Sequence, residues 1–283
     1  MSELEIRAGS QRVTGRDRRL RANDVVTGLL AVFLLVAALS PHLVAPGDPL
    51  AIDPLNAFRP PAWAHVFGTD ESGRDLYTRV VHGTGNSLTI GLAATAIGLG
   101  LGTVLGTIAG LSGRLVDFTV NRLLEVLFAF PGLLLALVFI LVFGPGVASA
   151  TIAVGLSTAP GYARIIRSQI ITVRSSAFIE AAVVQGLSQR RILTRHLLPN
   201  ILTPLLVLGT LGIGQAIVWA ATLSYLGLGA QPPAAEWGAM LSAGRTYITS
   251  AWWMSFFPGL FIVLTAVTAT VLGRSIERRM RHA

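Results

Sequence analysis

Apolar residues gather in six long runs, at 25–45, 87–111, 125–143, 147–166, 201–223 and 251–273, separated by polar, charged or Pro- and Gly-rich stretches. A helix needs about 20 largely apolar residues to cross a hydrocarbon core of about 30 Å, so each run predicts a membrane-spanning helix. The first run, with the basic residues 1–24 ahead of it, also has the form of a secretory signal, with Val36 and Ala38 placed before a cleavage point. The flank is long for a signal and five further runs follow, so a retained span is expected. Between the first two runs, 46–86 is rich in Pro, Asp and Gly. Within it, Leu76, Val80 and Val81 share a face opposite Arg74 and Arg79, which predicts a short interfacial helix over 72–82. The polar stretch 167–200 carries helical periodicity at Ile179, Ala182, Val183, Leu187 and Ile192, the pattern of a folded loop rather than a linker. The fifth run opens on a start signal: Pro199 disfavours helix at Leu198, Asn200 can cap, and Pro204 falls in the first turn. No repeat of fixed period is visible.

Gly98, Gly102, Gly106 and Gly110 recur every four residues in the second run, a smooth helical stripe on which another backbone can approach closely. They lack the G-x-G-x-x-G spacing of a dinucleotide site, and no strand precedes them. Gly209, Gly212 and Gly214 repeat the theme beside Gln215, one of the few strongly polar side chains deep in a run. A buried Gln there either bonds a neighbouring helix or lines a wet pathway.

Composition sharpens this picture. Of 283 residues, 52% are hydrophobic and only 13% charged, too apolar for a soluble domain and incompatible with a disordered or fibrous chain. Cysteine is absent, which excludes disulfides, thiolate metal sites and a cysteine nucleophile. All 22 basic residues are arginines, so the chain has no lysine for a phosphate-binding loop, a Schiff base or general-base work.

A net charge of +8 and a pI near 11.2 suggest nucleic acid in a soluble protein, but the arginines follow the runs. Arg7, Arg12, Arg16, Arg18, Arg19 and Arg21 precede the first; Arg114 and Arg122 separate the second and third; Arg164, Arg167, Arg174, Arg190, Arg191 and Arg195 separate the fourth and fifth; Arg274, Arg278, Arg279 and Arg281 form the tail. With six spans all of these fall on one face. That face carries 18 arginines against eight acidic residues, +10, while Arg59, Arg74, Arg79 and Arg245 oppose six acidic residues on the other, −2. The positive-inside rule then places both termini in the cytoplasm and removes nucleic acid as a partner.

The stretch Glu180-Ala181-Ala182, then Gly186, Ile192, His196, Leu198, Pro199 and Asn200, resembles the E-A-A loop of permease subunits of ATP-binding-cassette importers. Two further blocks narrow the likeness. Gly68-Thr69-Asp70-Glu71-Ser72-Gly73-Arg74-Asp75, and Leu223-Ser224-Tyr225-Leu226-Gly227-Leu228-Gly229 followed by Gln231-Pro232-Pro233 and Trp237-Gly238, are similar to segments of the second permease subunit of dipeptide, oligopeptide and nickel importers. Asp117, Arg122 and Ala129-Phe130-Pro131-Gly132 fit too, and the likeness covers nearly everything from Val25. Ala159, Gln185 and Glu125 depart from the residues frequent at their positions without disturbing the loop.

The resemblance implies an all-α polytopic protein of the type I importer permease fold with six transmembrane helices. Its parts are a cytoplasmic tail 1–24, a first span 25–45, an extracytoplasmic segment 46–86, a five-span core 87–273 with the loop at about 167–200, and a cytoplasmic tail 274–283. It implies a place in the bacterial inner membrane. Glu180, Ala181, Ala182, Gly186, Ile192, Leu198 and Pro199 would form the loop that couples to the ATPase, Gly98, Gly102, Gly106 and Gly110 the packing stripe, and Gln215 a pathway residue. The implied partners are a sister permease subunit, two ATP-binding subunits, membrane lipid, and a substrate-binding protein docking on 45–86 and 229–250. ATP and Mg would be bound by the ATPase subunits, and no cofactor, metal or catalytic residue is expected here. Peptides are the expected substrate, with nickel or a nickel chelate as the alternative.

The residues themselves argue beside that likeness. Glu180 falls early in a short helical stretch, where a carboxylate meets orphan N–H groups, with Arg174, Arg190, Arg191 and Arg195 as candidate partners; Gly186 permits the left-handed turn that ends it. A secondary transporter or channel would call for intramembrane carboxylates or unwound helices, and the runs offer only Glu125. A membrane hydrolase finds no support either: His42, His65, His82, His196 and His282 form no H-E-x-x-H, and no G-x-S-x-G occurs.

Overall fold

The computed structural model describes residues 24–281, so the N-terminal arginines from Arg7 to Arg21 and His282 lie outside the described residues. The described chain is helical, with two isolated β-bridges. Helix α1 spans Asp24–Leu39 and is followed by the single turn α2, Pro41–Val44. Then come α3 (Leu76–Leu111), α4 (Arg114–Phe128), α5 (Gly132–Phe143), α6 (Val147–Arg174), α7 (Ala177–Val184) and α8 (Gln189–Ile192). A π turn at Leu193–Leu197 leads into α9 (Leu198–Tyr225), and α10 (Trp237–Arg245) and α11 (Trp253–Arg281) complete the chain.

The second run begins earlier than its apolar residues suggest. Asp75 caps α3 by accepting from the Thr78 amide at 2.8 Å, and the helix then continues for 36 residues. At 1.5 Å per residue that is about 54 Å, well beyond a hydrocarbon core. The interfacial helix expected over 72–82 is therefore not a separate element: its residues from Leu76 onward are the first turns of α3. The third run is broken. Pro131 disfavours helix at the residue before it, and α4 and α5 meet there at 93°. The fifth run starts differently from the expectation: helix passes through Pro199 without a cap. The π turn, with the Leu198 amide donating to Leu193 O, comes immediately before the proline that cannot donate, and Asn200 Nδ2 donates to His196 O at 2.6 Å instead of capping.

Among the described residues, α3, the stretch Arg190–Tyr225 and α11 are long and apolar enough to cross a membrane, and the bent pair α4–α5 makes a fourth if counted as one span. Helix α1 is apolar but short. Helix α6 is long, yet its Ser, Thr, Gly and Pro lower its hydropathy, and one of its faces packs on α3.

Three apolar clusters hold the bundle. Leu76, Val80, Ile217, Trp237, Trp253 and Phe261 join α3, α9, α10 and α11 at one end. Ile90, Ala94, Ile140, Val154, Ala216 and Leu223 join α3, α5, α6 and α9 in the middle. Ile166, Ile170, Leu197 and Ile201 close the other end. The segment 46–75 and α10 cap the first end through the block 68–75. Asp70 is buried and receives Arg74 Nε at 2.6 Å, the Arg74 and Ser72 amides, and the nearby Arg79 guanidinium. Trp253 Nε1 donates to Thr69 O and Trp237 Nε1 to Val80 O, fixing α11 to this cap and α10 to α3.

Candidate functional site

The loop between α6 and α9 is folded on a core of its own. Ile179 and Ala182 of α7 bury against Ile192, with Val173 and Leu187 packed around them, four of the five positions the periodicity singled out being Ile179, Ala182, Leu187 and Ile192. Val183 is instead half exposed, at 51%, and Phe178 and Val184 are exposed as well. The helix ends in a Schellman motif: Gly186 N–H donates to Val183 O and Leu187 N–H to Ala182 O, with Gly186 at φ 74°. Only glycine adopts that φ without a steric penalty.

Glu180 occupies the first turn of α7, exposed, where its charge faces the positive end of the helix. Among the described residues none of the arginines Arg174, Arg190, Arg191 and Arg195 forms an ion pair with it. Arg174 turns away to the C-terminal carbonyls of α3, Gly110 O and Leu111 O, both at 3.4 Å. Ala181, Leu198 and Pro199 are exposed, the last two in the first turn of α9. Of the loop residues expected to act together, Ala182 and Ile192 are thus buried and hold α7 in place, while Glu180, Ala181, Gly186, Leu198 and Pro199 are exposed.

The glycine stripe meets α6 of the same chain. A Cβ on Gly102 would stand 3.0 Å from Ala159 O, and one on Gly106 2.6 Å from Ala163 O; Gly98 lies against Gly155 and Gly110 against Ile170. On α6 the facing residues Gly155, Ala159 and Ala163 are themselves small and spaced by four. Two smooth faces in contact permit close approach of the two backbones.

Beside this seam lies a cavity of about 580 Å³ between the α4–α5 bend, α6 and α9. Its walls include Phe128, Pro131, Gly132, Ser157, Thr158, Tyr162, Gln215 and Trp219. The Gln215 side chain makes no interhelical hydrogen bond among the described residues and lines this cavity. Sequence reasoning missed Tyr162 and Trp219. The bend that brings Pro131 and Gly132 under the Trp219 ring creates the site, and Pro131 was its only local signal.

At the end of the bundle nearest the loop, Arg167 of α6 grips Asp117 of α4 with two parallel bonds, Nε to Oδ1 at 2.5 Å and Nη2 to Oδ2 at 2.7 Å. Both residues lie outside the six apolar runs. Asn121 adds a further donor to the Asp117 carboxylate at 2.7 Å.

Residues 102–282 match the family described as binding-protein-dependent transport system inner membrane component. The dipeptide transport system permease protein of Alkalihalophilus pseudofirmus is 40% identical over 263 residues, covering 92% of this chain and 86% of that protein. The probable D,D-dipeptide transport system permease protein of Escherichia coli K12 is 40% identical over 249 residues, covering 88% and 83%. Among solved structures, the inward-facing MetNI methionine ABC transporter shares the fold, with a TM-score of 0.59 at 18% identity over 72% of this chain and 97% of that one. Fold and surroundings define an all-helical, multi-pass transport component of the type I permease fold. The chain belongs to the family of binding-protein-dependent transport system inner membrane components.

Proposed function

We propose that the chain is a membrane permease subunit of an ATP-driven peptide importer, forming half of the translocation pathway with a sister permease and docking on two separate ATPase subunits. The carrying observation is α7: a short helix stapled by its own core and a glycine turn, which leaves Phe178, Val183 and Val184 exposed beside Glu180. Exposed apolar side chains and a carboxylate on a short helix held by its own core suit a partner protein groove. Closure of the ATPase pair on ATP moves α7, and the helices of the bundle alternate between inward and outward access.

ATP and Mg belong to the ATPase subunits, since this chain has no lysine to reach a phosphate. A substrate-binding protein delivers cargo to the capped end built from 46–75 and α10, and both termini lie in the cytoplasm, following the arginine bias. The peptide reading rests on the relatives' substrates together with the cavity walls. Gln215, Ser157, Thr158 and Tyr162 offer neutral hydrogen-bonding groups beside the Trp219 ring, a lining suited to peptide amides.

The test reconstitutes the chain with its sister permease, ATPase and binding-protein partners in vesicles and follows labelled dipeptides and Ni²⁺ in parallel. ATP-dependent dipeptide uptake is expected. Uptake driven by an ion gradient without ATP, or of Ni²⁺ alone, overturns the reading. In the same system Glu180→Ala and Gly186→Leu should lower substrate-stimulated hydrolysis and transport together; unchanged values for both remove α7 from the coupling.

A further inference from the structure

We infer that Arg164 and Arg167 are positioning residues that hold α4 to α6 at its two ends and so carry movement of α7 into the wall of the cavity; the inference rests on the transport function proposed above. Helix α4 also touches α3, its neighbour in the chain, but buries little of itself. Its one fully buried side chain is Leu124, while Leu115, Phe118, Leu123 and Val126 are exposed. The grip comes from α6. Arg167 forks onto Asp117 in the first turn of α4, and Asn121 braces the carboxylate from one turn further along. Arg164, three residues before Arg167 and on the same face of α6, lays its guanidinium 4.3 Å from the ring centre of Phe128, the last residue of α4.

Each end of this arrangement leads somewhere. Phe128 is itself a wall of the cavity, together with Pro131 and Gly132 at the bend that follows it. Towards the other end, α6 continues unbroken from Arg167 to Arg174, and Val173 packs into the core of α7 while accepting from Ser176 Oγ. Only Ser175 and Ser176 separate α6 from α7. A displacement of α7 therefore reaches Arg167 through under two turns of helix, and the fork and the stacked guanidinium convert it into a displacement of α4. A fork with two parallel bonds resists rotation as well as separation, which a single contact does not.

The experiment uses the reconstituted transporter and reads peptide delivered per ATP hydrolysed, with complex yield and melting temperature measured alongside. Asp117→Asn and Arg167→Gln should assemble and hydrolyse ATP within about two-fold of the parent, yet deliver at least about five-fold less peptide per ATP, the lower edge of a functional coupling. The reciprocal pair Asp117→Arg with Arg167→Asp should recover most of that ratio. A ratio unchanged in both single variants, a loss the reciprocal pair does not recover, or a parallel fall in hydrolysis and yield overturns the inference in favour of a plain structural staple.

Because the chain has no native cysteine, spin labels at Thr119→Cys and Val184→Cys give a second measurement. Their separation should hold between nucleotide-free and vanadate-trapped complexes in the parent and change in Arg167→Gln. An equal change in both overturns the inference. Failure of the underlying transport reading is seen elsewhere, in a parent complex that takes up no peptide when ATP is added, and it removes the inference with it.

Discussion

Gly106 on α3 faces Ala163 on α6 so closely that a Cβ on the glycine would stand 2.6 Å from the alanine carbonyl oxygen. A leucine at Gly106 must push the two helices apart along their seam, an overpacking that costs about 1–3 kcal/mol or more. Gly106→Leu and Gly102→Leu should lower the melting temperature of the purified chain in detergent before any partner is added. Gly100→Leu, on the same helix but with nothing near its Cβ position, should melt with the parent. Equal melting of Gly100→Leu and Gly106→Leu removes the seam as a source of stability.

The stripe also shows how far the pattern of residues reached. Spacing by four announced a close helix contact but not its partner, although the matching signal, Gly155, Ala159 and Ala163 at the same spacing on α6, stands in the sequence. All six apolar runs do carry helix, because long apolar stretches have few other ways to satisfy their backbone in lipid. Apolarity says nothing about continuity, however. Pro131 breaks the third run while Pro199 fails to interrupt the helix leading into the fifth, and the difference lies in a π turn that no local rule foretold. The Arg167 fork on Asp117 joins residues 50 apart and left no local trace. Gly186 was legible because its role is local: a glycine six residues after Glu180 ends α7 by backbone geometry alone.

That turn yields a second prediction. At φ 74° an alanine at Gly186 carries a penalty of about 1–2 kcal/mol, concentrated in the last turn of α7. Gly186→Ala should leave the melting temperature of the bundle nearly unchanged while loosening the loop, seen as faster hydrogen exchange at Val183, Gln185 and Leu187. Gly113→Ala serves as the control, since that glycine has ordinary φ −71° and open space around it. Exchange in the loop that matches the parent within error removes the Schellman turn as its clamp.

The capped end makes the third. Asp70, Glu71, Arg74 and Arg79 form a charge-balanced cluster in which Asp70 is 3% exposed and both arginines are nearly as buried. Removing Asp70 leaves two buried guanidiniums with one carboxylate between them, and breaking such a pair costs about 3–5 kcal/mol. Asp70→Ala should therefore melt far below the parent. Glu71→Gln, whose carboxylate is more exposed and bonds Arg74 alone, should cost little beyond that one contact. Should the two variants melt alike, the cap is held by its apolar contacts and the two tryptophan hydrogen bonds rather than by Asp70.

Gln215 offers the sharpest separation of stability from function. Its side chain is exposed to the cavity and has no hydrogen bond to lose among the described residues, so Gln215→Leu should change the melting temperature by no more than a surface substitution does, within about 0.5 kcal/mol. On the proposed translocation path the same change would remove a neutral donor and acceptor from the wall that a passing peptide amide meets. Dipeptide uptake by the reconstituted complex should fall while ATP hydrolysis stimulated by the binding protein persists, because α7 and its core are untouched. Val218→Leu, on the same helix but outside the cavity wall, should transport like the parent. Uptake kinetics for Gln215→Leu that coincide with the parent across several dipeptides place the pathway elsewhere than along this cavity.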